Sequence, residues 1–294
     1  MVLVVVSASS LVACTNGAVD DQPRPPSSPT PGPSAPPPAV DPSCAPVVEN
    51  IVKGTVMDPA LDEISGMVVS HRMHGVLWVE EDSGNDAAVY ALEPTGEVVA
   101  DVTVDGATNV DWEDLAWARG RLWVGDIGDN ERERSEIQVY SFREPDDRDA
   151  TSVDATTLRL RYEDGPHDAE AMFIDPRDER LYLVEKQFGQ PGSAVYAVSL
   201  RGLVPGEVGV LRLVARVPLP AVTAADLSPA GIAVGSYLTT LVFPWSDDRT
   251  VVSTLEGMAC LASIGDEAIA MTQDGGALYS TGEGVGRSIR YVEI

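Results

Sequence analysis

From residue 47 onward the chain alternates short apolar runs with Gly-, Asp-, Asn- and Pro-rich breaks, and five times an acidic residue opens the first run of a group. The openings are Glu63-Ile-Ser-Gly-Met-Val-Val, Glu113-Asp-Leu-Ala-Trp, Glu170-Ala-Met-Phe-Ile, Asp226-Leu-Ser-Pro-Ala-Gly-Ile-Ala-Val and Glu267-Ala-Ile-Ala-Met, spaced 50, 57, 56 and 41 residues apart. A second run and usually a third follow each opening, as in Arg121-Leu-Trp-Val and then Ile137-Gln-Val-Tyr-Ser-Phe. Val, Ile, Tyr and Thr dominate these runs, and the helical spacing of apolar positions is scarce, so the runs predict strands. Several short strands per unit, with a period near 50, predict an all-β fold of the propeller type. Five blades account for residues 47–294 at about 50 residues each, and six tighter blades are the alternative. The last unit lacks an outer strand. The unassigned stretch Val47 to Met57 can supply it, so that the two chain ends close the ring and remove a free sheet edge.

The first residues follow a different pattern. An apolar run, Val2 to Val6, leads through small residues to Leu11-Val12-Ala13-Cys14, which looks like a lipobox. No Lys or Arg precedes that run. Residues 1–14 are therefore expected to act as a lipoprotein signal, with Cys14 lipidated and the cell membrane as the anchor. Residues 15–43 hold ten prolines between Pro23 and Pro42 among Ser, Thr, Gly and Ala. Such a segment cannot bury enough apolar surface to fold, and it predicts an extended tether. Residues 44–294 form the expected propeller domain, placed outside the cytoplasm and expected to be a monomer. With Cys14 lipidated, Cys44 and Cys260 remain as an even pair, which in an exported chain predicts a disulfide.

Charge narrows the classes of partner. The chain has 46 Asp and Glu against 20 Lys and Arg, a net charge of −26, which disfavours nucleic acid. Equivalent positions of a radial repeat are related by rotation, so the acids at the strand entries are expected to form an axial ring: Glu63, Glu113, Glu170, Asp226 and Glu267. The ends of the second strands add Asp82, Asp126, Lys186 and Glu283. Crowded carboxylates either recruit a cation or accept backbone hydrogen bonds from neighbouring blades, and both readings stand. Oxygen donors without clustered His or Cys favour calcium or magnesium over zinc, calcium first, with Asp111, Glu113, Asp126, Asp129, Asn130 and Glu170 as the candidate ligands. The Gly125-Asp-Ile-Gly-Asp-Asn string does not have the spacing of an EF-hand loop. His167, beside Asp168, is the one candidate for general acid or base work. The tryptophans at 78, 112, 117, 123 and 245 read as packing between blades rather than as a sugar platform.

The strings Glu63-Ile-Ser-Gly, Asp82-Ser-Gly, Asn109-Val-Asp-Trp-Glu-Asp, Gly125-Asp-Ile-Gly-Asp-Asn, Gly165-Pro-His-Asp-Ala-Glu-Ala and Ala225-Asp-Leu-Ser-Pro together resemble a family of exported bacterial β-propeller lipoproteins. That family is distantly similar to phytase-like and esterase-like propellers. The resemblance covers roughly residues 60 to 285 and implies a propeller with a polar, calcium-binding axial face. Gly235-Ser-Tyr stands where similar proteins carry Arg-Thr-Tyr, which removes a cation suited to an anionic substrate. Two functional classes follow. One is an anchored binding or scaffold module that meets an envelope protein or a small-molecule ligand. The other is a metal-assisted hydrolase of phosphate or carboxyl esters.

Overall fold

The computed structural model describes residues 40–41, 44, 49–204 and 206–294, and these form an all-β fold of the propeller type. Cys14, the expected signal and most of the expected tether lie outside the described residues. The first strand in the chain, β1 (Asn50–Val56), is also the last to be placed in a sheet, as described below. A meander β2 (Ile64–Val69), β3 (Leu77–Glu81), β4 (Ala88–Leu92) and β5 (Val98–Asp105) follows it. Next come β6 (Trp112–Ala118), β7 (Arg121–Asp126) and β8 (Ile137–Arg143), then the short β9 (Ser152–Asp154) and β10 (Thr156–Tyr162). β10 completes the sheet of β6 to β8, while β9 lies parallel to β5 and extends the preceding sheet.

The same unit recurs in β11 (Ala169–Asp175), β12 (Arg180–Glu185), β13 (Ser193–Ser199) and β14 (Val208–Val217). The outer strands β10 and β14 pair in parallel, which joins two meanders into one eight-stranded sheet. The next meander holds β15 (Val222–Ser228), β16 (Gly231–Ser236), β17 (Thr240–Pro244) and β18 (Cys260–Ala262). Its last connection carries α1 (Val251–Leu255), whose first turn is capped by Thr250 and Ser253. The chain ends with β19 (Ala268–Met271), β20 (Ala277–Thr281) and β21 (Arg287–Glu293). β1 then pairs antiparallel with β21, from Asn50 opposite Val292 to Val56 opposite Arg287, so the N-terminal strand supplies the outer strand of the C-terminal sheet.

Burial follows position in the unit. All seven residues of β11 are buried, whereas β5 alternates buried and exposed positions in its outer half. An inner strand has protein on both faces and reads as a continuous apolar run. An outer strand has one wet face and alternates. The inner strands β2, β6, β11, β15 and β19 pack on one another in chain order, and β19 returns to pack on β2. Apolar clusters fill the seams between neighbouring sheets. Trp78 of β3 meets Trp112, Leu122 and Phe142 of the next sheet, and Phe173 and Tyr182 meet Ile232 and Phe243 across a later seam.

Cys44 and Cys260 form the expected disulfide, with Cα atoms 5.6 Å apart and a separation of 216 positions in the chain. It ties the approach to β1 to β18, and Val40 adds an isolated parallel bridge to Ala259 beside it. In the chain-entropy account, closing a loop of that length contributes up to about 5 kcal/mol. Reduction, or Cys260→Ser, is expected to lower the melting midpoint by about 10 °C or more, measured by differential scanning fluorimetry.

Candidate functional site

Four of the five inner strands, β2, β6, β11 and β15, depart from regular pairing near their starts, while β19 pairs without a slip. The ladder slips between Ile64 and Met67, between Trp112 and Asp114, between Ala169 and Ala171, and between Val222 and Ala224. Such a bulge leaves one or two residues out of register and re-aims their side chains. The residues set free are Ser65 with Gly66, Glu113, Glu170 and Thr223. Two of them reach the next inner strand or its approach: Ser65 Oγ donates to Glu113 Oε2 at 3.2 Å, and Thr223 Oγ1 donates to the Asp266 carbonyl at 2.7 Å.

One level further along the strands lies a buried polar arrangement that links three of them. Asp114 is wholly buried, and its Oδ2 accepts from Met172 N at 2.7 Å and from Ala225 N at 3.2 Å, while Oδ1 accepts from Leu115 N. One carboxylate thus satisfies donors on β6, β11 and β15. Asp226 repeats the device, taking Met271 N of β19 at 2.8 Å and Leu227 N at 2.7 Å. Burial pushes Asp226 up to about 7 against these two hydrogen bonds, and raises Asp114 in the same way. Among the acids expected to form the axial ring, Asp226 therefore serves the backbone-acceptor role between neighbouring inner strands, three positions deeper than Thr223.

The entry end of the inner strands carries the other charges. Lys186 Nζ lies 2.8 Å from Glu170 Oε2. Burial would lower the Lys186 pKa, but the Glu170 carboxylate outweighs it and the amine is held well above its usual range. Burial pushes Glu170 up to about 7, with Lys186 opposing, and pushes Glu267 up to about 7 beside Glu283 and Asp266. Glu283 itself is exposed in the β20–β21 turn. Glu63, just before β2, is exposed and accepts from Asn85 Nδ2 at 2.9 Å.

Asp82, Asp111 and Glu113 come closest to a ligand set, since one oxygen from each lies within 4.8 Å of the other two. Asn109 builds this meeting. Its Nδ2 donates to the carbonyls of Glu81 and Asp82 at 2.8 Å each, and its Oδ1 accepts from Trp112 N. The end of β3 is thereby stapled to the start of β6. Gly128 completes the wall, because a Cβ there would collide with Glu113 Oε1 and Asp111 Oδ2. Burial pushes Asp111 up to about 6, and burial together with Glu170 raises Glu113 well above its ordinary range. Behind the group Glu80 is fully buried, and neither of its oxygens has a well-formed hydrogen bond among the described residues, although Gly66 N–H lies nearby. Burial and the charge of Asp82 raise its pKa.

The other expected ligands are engaged elsewhere. Asp126 is buried and holds Arg134 Nη2 at 2.7 Å and Asp111 N at 3.2 Å. Asp129 accepts from Glu133 N and Arg134 N, its own N–H binds Asp168 Oδ1, and Asn130 is exposed. The Gly-Asp-Ile-Gly-Asp-Asn string is thus a turn organised around Arg134. His167 sits in a separate network: Nδ1 lies 3.2 Å from Glu185 Oε1, and Nε2 lies 3.0 Å from Asp164 Oδ1 and 2.9 Å from the Tyr196 hydroxyl. Burial would lower its pKa, but Glu185 and Asp164 outweigh that and raise it. Sequence reasoning missed Glu80, Asp114 and Glu144. An acid inside a strand that is otherwise buried on both faces is the signal that could have found the first two.

No family model matches this chain, and no curated protein does. Two solved structures similar to it are the PQQ-bound aldose sugar dehydrogenase of Streptomyces coelicolor and the hydrazine synthase of Kuenenia stuttgartiensis. The first is 10% identical, with a TM-score of 0.45, over 85% of this chain and 100% of that one. The second is 11% identical, with a TM-score of 0.40, over 79% of this chain and 96% of that one.

Two expectations follow from the electrostatics. Asp114→Ala leaves three backbone donors unmet in the interior, a loss of at least about 3 kcal/mol, and is expected to cut the yield of soluble folded protein sharply, while Asp114→Asn keeps an acceptor and does less harm. Glu170 and Glu267 have folded pKa values above their unfolded ones, so their protonated forms favour the fold. Stability of the chelator-treated domain should therefore fall as pH rises from about 4.5 to about 7, and Glu170→Gln with Glu267→Gln should flatten the decline in a series of melting curves.

Proposed function

We propose that this chain is a lipid-anchored, extracytoplasmic binding and scaffold module, built on a five-bladed propeller whose acidic axial mouth holds calcium. The cyclic packing of β2, β6, β11, β15 and β19 supports the count of five. The disulfide supports a compartment outside the cytoplasm, where such bonds persist. In this reading Cys14 carries the lipid and the Pro-rich segment lifts the propeller off the membrane.

The observation that carries the calcium reading is the meeting of Asp82, Asp111 and Glu113, with the buried Glu80 near enough to raise Glu113 further. A buried carboxylate without a donor is costly, and several pressed together cost more, unless a cation sits among them. The donor set is all oxygen, drawn from two neighbouring sheets, which suits calcium better than zinc. A cation here would bridge β3 and β6 and fix the loops that face a partner. Glu170 stands beside this group with Lys186 as its counter-ion.

Calcium titration of the full chain tests the reading by calorimetry and by melting curves. Affinity is expected at about 10⁻⁴–10⁻³ M, the range of extracellular calcium modules. At a hundredfold excess over that constant, binding adds about 2.7 kcal/mol, which the melting midpoint reports. Asp111→Asn and Glu113→Gln should each weaken binding at least tenfold, whereas Asp129→Asn should not. If saturating calcium leaves the midpoint unmoved, the acids are hydrogen-bonded structure only. Ester or phosphate hydrolysis that chelator abolishes would move the assignment to a metal-assisted hydrolase.

A further inference from the structure

The opposite ends of the inner strands enclose a cavity of about 270 Å³. It lies beyond Asp226 and Met271, which form part of its wall, and the C-terminal ends of β2, β6, β11, β15 and β19 all contribute to it. The acidic group described above plays no part in it. The cavity is half open: buried strand ends form its floor, and Arg177, Asp247 and Gln273 stand at its opening.

Two of the five tryptophans border it, and both are braced. Trp117 donates its Nε1 to Glu144 Oε2 at 2.7 Å and stacks flat on His71, with ring centroids 3.5 Å apart. Glu144 is itself buried, and it also accepts from Trp78 Nε1, Ser70 Oγ and His71 N. Trp245 lies under the Arg177 guanidinium, 3.9 Å from the ring centroid. Arg177 in turn is held by Asp175, with Nε 3.2 Å from Oδ1 and Nη2 3.3 Å from Oδ2. Gln273 anchors its Nε2 on the Ser70 carbonyl at 2.7 Å, so its amide is fixed beside the opening. Asp247 stands fully exposed at the rim.

The chemistry of this wall selects among ligand classes. A hydrocarbon or a plain aromatic ring would use the indoles alone and leave Asp247, Arg177 Nη1 and the Gln273 amide oxygen at the opening without a role, although Asp175 and Arg177 keep each other. An anion meets Asp247 and the field of a chain of net charge −26. A cation meets Arg177, already seated over Trp245. What remains is a neutral ring with an apolar face for the indoles and hydroxyls for the carboxylate, guanidinium and amide groups around them. We infer that this mouth binds a neutral carbohydrate, one or two sugar rings deep. Arg177 Nη1, Asp247 and the Gln273 amide oxygen offer donors and acceptors to adjacent hydroxyls, while Trp117 and Trp245 supply the apolar wall for the C–H face.

The test uses the full chain on an array of neutral, amino and acidic glycans, followed by tryptophan fluorescence titration with the sugars retained. Neutral glycans are expected to be retained and to change the emission with dissociation constants of about 1 mM or tighter. Trp117→Ala is expected to weaken binding at least tenfold. Gln273→Ala and Asp247→Ala, both at exposed positions, should each weaken it severalfold with the melting midpoint unchanged. Glu113→Gln, at the other mouth, should leave sugar binding as it was, so this result and the calcium result stand or fall separately. Three outcomes overturn the inference: no neutral glycan retained, indole bound more tightly than any sugar, or sugar binding that none of the cavity variants alters.

Discussion

The fold depends on how the inner strands satisfy the backbone donors they turn toward the axis. An outer strand that ends a sheet meets water, but an inner strand in this ring packs against other inner strands and forms no ladder with them. Its free N–H groups need acceptors from elsewhere, since a buried donor left unmet costs as much as a hydrogen bond is worth or more. Asp114 answers for three strands and Asp226 for two. The bulges at the strand starts do related work, freeing Ser65 and Thr223 to reach across to the neighbouring sheet or its approach.

This arrangement also explains why the two ends of the channel differ. At the entry end the acids gather without enough donors, so burial holds Glu170 and Glu267 near neutrality in pKa and leaves Glu80 unpartnered. At the exit end the acids are satisfied: Asp175 by Arg177, Asp226 by backbone, and Glu144 by two indoles and the turn after β2. An unsatisfied cluster suits a cation, and a satisfied one suits a neutral guest.

Much of this was legible in the sequence, and the limits have physical causes. The strand runs, their period and the closing role of the stretch before Met57 could be read because burial on both faces leaves continuous apolar runs. The pairing of Cys44 with Cys260 followed from arithmetic. The acids opening each group were visible, but their depth was not: Asp226 looks equivalent to Glu170 in the string, and only the ladder slip at Val222 places Thr223 at that level instead. Asp126 and Asp129 looked like ligands because a glycine-rich acidic turn has the composition of a metal loop, and nothing in the string announces that Arg134 occupies it. The tryptophans divide in the same way. Trp78 and Trp112 are wholly buried between sheets, while Trp117 and Trp245 border the cavity.

The disulfide has a mechanical consequence. Cys44 lies ahead of β1, and its bond reaches β18 in the sheet that precedes the closing one. A pull applied from the N-terminal side therefore enters the molecule at Cys260 and never reaches β1. Without the bond, the same pull would peel β1 from β21 one pair at a time, which is the weakest way to load an antiparallel ladder. The bond acts as a strain relief on a cable: the closing strand carries no load, and the loop between the two cysteines is shielded from a force that arrives along the chain.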